Sequence, residues 1–72
     1  MKAYVTFGFS HSHVVGSKIL NRDCVCVFEA DNYHDAKNRA FKMFGPKFCG
    51  LYFDDEWNEK HLEYYKNGYV VL

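Results

Sequence analysis

Tyr4-Val5-Thr6-Phe7-Gly8-Phe9 runs into Ser10-His11-Ser12-His13, and Asp23-Cys24-Val25-Cys26-Val27-Phe28-Glu29-Ala30 follows a short interval later. Both stretches are rich in β-branched, aromatic and cysteine side chains, the composition of strands. Between them, Gly16-Ser17 is a two-residue loop with glycine at the first central position, as a type II′ hairpin turn prefers. That turn predicts a ladder of Val15–Lys18, His13–Leu20, His11–Arg22, Phe9–Cys24, Phe7–Cys26 and Val5–Phe28. One face is then apolar along its inner half. The other carries Tyr4, Thr6, Gly8, Ser10 and Ser12 against Asn21, Asp23, Val25, Val27 and Glu29. A one-residue slip would invert every side chain, so pattern and turn together specify the register.

Outward from the hairpin, Asp31 is the expected N-cap of a helix over Asn32–Phe44. Tyr33, Ala36, Ala40, Phe41 and Phe44 recur at helical spacing and form its apolar stripe. Asp35 in the first turn and Lys42 in the last suit the helix dipole, and Gly45-Pro46 ends the helix. Lys47–Phe53 reads as a third strand, with Gly50 marking a bulge or close approach. Asp54-Asp55 then caps a short helix over Glu56–Tyr65, with Trp57, His61, Tyr64 and Tyr65 on one side. Asn67-Gly68 is a turn, and Tyr69–Leu72 a terminal strand. The expected fold is α+β in the order ββαβαβ: a small antiparallel or mixed sheet with one main helix on its apolar face.

The chain has 72 residues, enough for one domain near the lower limit of independent folding, and 19% of them are aromatic. Large rings let a small core bury much area. Formal net charge is zero, yet residues 1–50 hold seven Lys/Arg against four Asp/Glu, and residues 51–72 two against five. The balance argues against a general nucleic-acid binder, which needs a basic footprint. The acidic final third suits a protein partner. No apolar stretch is long enough to span a membrane, and no secretory leader pattern is visible. The three cysteines are expected as free thiols in a reducing cytoplasm. Cys24 and Cys26, two apart on one strand, lie roughly 6.6 Å apart with parallel Cβ vectors, poor geometry for a bridge.

Several residues invite chemistry. His11 and His13 present two imidazoles on one face, a usual way to offer two metal ligands, but the ladder sets Arg22 opposite His11 and its fixed charge opposes a cation. Cys24 and Cys26 face phenylalanines, and apolar surroundings raise a thiol pKa and leave it inert. Cys49 has no His/Asp pair placed to activate it. Lys37, Arg39 and Lys42 span the helix circumference and solvate it. Phe7 and Phe9 resemble a base-stacking platform, but both lie on the face the helix covers. No enzyme and no cofactor is expected.

The segments Tyr4-Val5-Thr6-Phe7-Gly8, His11-x-His13, Asp23-Cys24-Val25-x-Val27-x-Glu29-Ala30 and Ala40-Phe41-x-x-Phe44-Gly45-x-Lys47-Phe48-Cys49 together resemble a group of small, mostly uncharacterised proteins of bacteriophages and prophages. The resemblance covers about two thirds of the chain and weakens after Tyr52. It implies a stoichiometric inhibitor of host defence, of the anti-CRISPR or a similar type, acting in the bacterial cytoplasm on a host protein or nucleoprotein complex. Asp54, Asp55, Glu56 and Glu59 are then the charged part of the docking surface, with Trp57, Tyr64 and Tyr65 as aromatic anchors. The other reading of the segment is a capped, solvated helix face with Trp57 folded inward. No direct nucleic-acid contact is expected. A second copy of the chain is a further candidate partner, through the edge of the terminal strand. The alternative is a metal- or nucleic-acid-binding module at the hairpin end, using His11, His13 and Arg22.

Overall fold

The computed structural model describes residues 1–72. Its strands are β1 (Lys2–Thr6), β2 (His13–Val15), β3 (Lys18–Leu20), β4 (Cys24–Glu29), β5 (Gly50–Phe53) and β6 (Gly68–Val71). The main helix, α1, is Tyr33–Phe44, and a 3-10 helix covers Glu59–Tyr64. Four strands form a mixed sheet in the order β5-β1-β4-β6, and β2 and β3 form a separate ribbon. β1 pairs antiparallel with β4 and β5, while β6 joins β4 in parallel. The α+β class and the mixed sheet are as the sequence predicts. No helix is long and apolar enough to cross a membrane.

The outer hairpin has the predicted register: Val15 faces Lys18 and His13 faces Leu20. Gly16 takes φ +62°, the left-handed value that the first position of a type II′ turn requires and other residues resist. Further in, the ladder departs from expectation. Val5 faces Cys26 and Ala3 faces Phe28, a displacement of two residues. The cause is unequal spacing between the two ribbons. Residues 7–12 join β1 to β2 but only residues 21–23 join β3 to β4, and the longer segment folds its surplus into a turn at residues 8–10. Gly8 opens that turn at φ +63°.

A shift of two keeps the parity of every side chain still in the sheet. Val5, Phe7, Cys24, Cys26 and Phe28 therefore remain in the core, beside Ala36, Ala40 and Phe44 of the helix. Phe9 is the casualty: the turn ejects it from the predicted apolar face, and it is 91% exposed. His11 and Arg22 also fall outside the strands, so their predicted ladder pair is absent.

The helix starts one residue later than predicted. Asn32, not Asp31, is the N-cap, and its side chain accepts from the Asp35 amide. The Asp35 carboxylate in turn accepts from the Asp31 amide at 2.9 Å, a reciprocal arrangement close to a capping box. Small Ala36 and Ala40 let α1 approach the sheet, whereas Tyr33 and Phe41 of the predicted stripe lie at its exposed margins. Tyr33 still leans on Phe53, and Phe41 on Phe48.

The opposite sheet face is the main surprise. Tyr4, Thr6, Val25 and Val27 alternate away from the helix, yet Val25, Val27 and Thr6 are buried. The segment after β5 crosses this face and covers it with rings: Trp57 lies on Tyr4, with Tyr69 beside them. The sheet is thus packed on both sides, and the smaller second layer is almost wholly aromatic.

Candidate functional site

The acidic segment begins at the end of β5. The Phe53 carbonyl accepts from the amides of Glu56 and Trp57 at 2.9 and 2.8 Å, closing a tight turn rather than starting the predicted helix over Glu56–Tyr65. Helical structure begins only at Glu59, as a 3-10 helix capped by Asn58. Asp54 and Asp55 therefore cap nothing.

Asp54 has a different task. One carboxylate oxygen accepts from the Lys2 amide at 3.2 Å and the other from the Tyr4 hydroxyl at 3.1 Å. It fastens the turn to β1. Partial burial first, and then this bond to Asp54, push the Tyr4 phenol above its ordinary pKa.

Trp57 completes the attachment. Its ring stacks on Tyr4 at 5.2 Å between centroids and 7° between planes, and its Nε1–H donates to the Tyr69 hydroxyl at 2.9 Å. Tyr52, His61 and Tyr65 surround it at 5.7, 5.7 and 6.4 Å. Trp57 is therefore the centre of the second layer, the inward placement rather than the docking anchor of the two that the sequence allows. The signal for this was Tyr4 itself, an aromatic on the nominally polar face of β1 that needed a partner.

What remains free is narrower than the predicted set. Asp55, Glu56 and Glu59 are exposed, and the ion pairs of the chain are Met1–Glu29 and Arg39–Asp35. These three carboxylates thus have no cation within 4.0 Å. Tyr64 is exposed beside them in sequence, while Tyr65 turns inward and burial pushes its phenol pKa up. Of the seven residues expected at the docking surface, Asp55, Glu56, Glu59 and Tyr64 point outward, Asp54 and Trp57 hold the platform, and Tyr65 turns inward.

The hairpin end does not assemble a metal centre. No three His, Cys, Asp or Glu side chains come together to hold an ion. His13 packs against Phe7 and Phe44, with centroids at 5.7 and 5.0 Å, and its Nε2 donates to the Lys47 carbonyl at 2.7 Å. That bond occupies the nitrogen a metal would use most readily.

The thiols are free. Burial, and then the neighbouring Cys24, push the Cys26 thiol up to about 12. Burial likewise raises Cys24, whose sulfur accepts from the Asn21 amide at 3.3 Å. Such thiols stay protonated and unreactive at neutral pH. Cys49 is exposed and stands against Gly8, where an added Cβ would meet its Cβ at 3.4 Å.

Compared with known proteins, the chain matches no family model, no curated protein and no solved structure.

Proposed function

We propose that this chain is a non-enzymatic interaction protein that binds a host protein complex and inhibits or modulates it by occupying a surface. The observation that carries the reading is the row of three exposed, unpaired carboxylates, Asp55, Glu56 and Glu59, on a rigid aromatic platform. Unpaired surface charge of one sign steers encounter with a surface of the other. A segment already ordered by Asp54 and Trp57 loses little conformational freedom on docking. The partner surface is accordingly basic, and Tyr64, exposed on the same 3-10 helix as Glu59, is the aromatic contact. A groove that serves nucleic acid in a defence complex has this chemistry. The phage-type origin, the anti-defence role and the bacterial cytoplasm rest on the sequence resemblance.

Affinity capture from a bacterial lysate with the intact chain, followed by mass spectrometry, tests the reading. One complex with a basic groove is expected, and the double variant Asp55→Lys/Glu59→Lys loses at least about tenfold of the captured amount, because each rim charge is reversed against the groove. Capture unchanged by the double variant removes this surface from the proposal.

A further inference from the structure

A second feature is a groove that contains none of the three free carboxylates. Of the protein's aromatic side chains, Phe9, Phe28 and Tyr64 are the ones without a ring partner. Phe28 is buried in the core, while Phe9 and Tyr64 are 91% and 73% exposed. These two bare rings line the same groove, about 260 Å³ in volume, and Tyr52, Tyr65 and Cys49 line it with them. Trp57 packs against both Tyr52 and Tyr65, so that part of the wall is held from behind. The turn that begins at Gly8 carries Phe9 to its place.

Charge at the groove has one sign. Arg22 is its sole charged lining residue, and it has no carboxylate within 4.0 Å. The phenol hydroxyls that bond within the protein belong to Tyr4 and Tyr69, which leaves those of Tyr52, Tyr64 and Tyr65 free for a ligand. Stacking faces, free hydroxyls and one guanidinium together match a planar ring that carries a single anionic group. The volume, just under the roughly 300 Å³ at which small-molecule sites usually begin, suits one base and its phosphate. A polymer tracked along its backbone needs a row of cations, and one arginine does not supply it.

We infer that this groove binds a single nucleotide, with the base against Phe9 and Tyr64 and the phosphate on Arg22. The two-residue register shift is what creates the site: it takes Phe9 off the core face and leaves Arg22 outside the ladder. The inference shares Tyr64 with the docking surface but uses neither Asp55 nor Glu59, so variants of those two carboxylates separate the two readings.

Two-dimensional NMR titration of the whole chain with AMP and with UMP tests it. Saturable shifts are expected around Phe9, Arg22, Tyr52 and Tyr64. Adenosine, which lacks the phosphate, binds at least about tenfold more weakly, and Arg22→Gln lowers AMP affinity to a similar degree while leaving adenosine unchanged. Phe9→Ala and Tyr64→Ala each weaken AMP by roughly fivefold to a hundredfold, the usual worth of a base stack. These side chains are on the surface, so spectra remote from the groove report an intact fold. A 5′-phosphorylated trinucleotide separates two sources of the same chemistry: tighter binding than AMP assigns the end of a strand, equal binding a free nucleotide. The inference is overturned by any of three results: no saturable shift up to about 10 mM AMP, adenosine binding as well as AMP, or an affinity that ignores both aromatic variants. Asp55→Lys/Glu59→Lys leaves AMP binding unchanged, so loss of one activity is distinguishable from loss of the other.

Discussion

Two phenylalanines, Phe7 and Phe9, show how far a local pattern reaches. Strict alternation puts both on the core face, and only one arrives there. Phe7 is fully buried and meets Phe44 edge-on at 5.1 Å, while Phe9 stands in solvent. Phe7→Ala is therefore expected to cost about 3–5 kcal/mol, and Phe9→Ala to fall within roughly 0.5 kcal/mol of the parent. Urea denaturation separates them, and equal losses would contradict the turn at residues 8–10. Trp57 reads from the sequence either as a docking anchor or as a ring folded inward, and its stacking on Tyr4 chooses the second. Its hydrogen bond to Tyr69 is the residue-level evidence for the second layer. Tyr69→Phe removes that acceptor, leaves the indole N–H unpaired, and is expected to lower stability by about 1 kcal/mol in the same assay.

Among the elements, those governed by short-range chemistry were readable. The Gly16-Ser17 turn sets the ribbon β2–β3, and Gly45 ends α1 with its amide donating to the Phe41 carbonyl at 2.8 Å. The start of α1 lies one residue later than the sequence predicts because Asp31 and Asn32 are both good caps and only geometry chooses between them. Asn32→Ala should cost about 1 kcal/mol, whereas Asp31→Ala leaves in place the backbone amide that Asp35 uses. Thermal unfolding followed by circular dichroism distinguishes the two. That same amide bond is the largest of the causes that lower the Asp35 pKa, and Arg39 adds to it. The folded value lies below the ordinary one, so the contribution of Asp35 is present above the unfolded pKa and fades as pH falls through the folded value. The segment after β5 was the least readable, because the turn at Phe53 and the delayed 3-10 helix follow from Trp57 docking on Tyr4. A long-range contact overrode the local preference for a capped helix.

For the whole molecule, the decisive arrangement is one sheet with an aliphatic and aromatic core under α1 and a tyrosine–tryptophan layer on its other face. Cys26 sits in the first of these, and its thiol has a folded pKa raised from 9.0 to about 12. Between these two values the unfolded chain loses this proton and the folded chain keeps it. Stability is thus fully present below about pH 9 and falls as pH rises towards about 12. Chemical denaturation across that window should show the decline, and Cys26→Ala should flatten it. The sequence alone determined which segments are extended, the main helix, the hairpin tip, the parity of each buried side chain and the burial of Cys24 and Cys26. These depend on periodicity and on turn and cap residues, which act over a few positions. Only the tertiary structure decided the register at the base of the first hairpin, the exposure of Phe9, the inward role of Trp57 and Asp54, and which carboxylates remain free. Each of these depends on how much chain is left over between paired strands, and on which distant ring it meets.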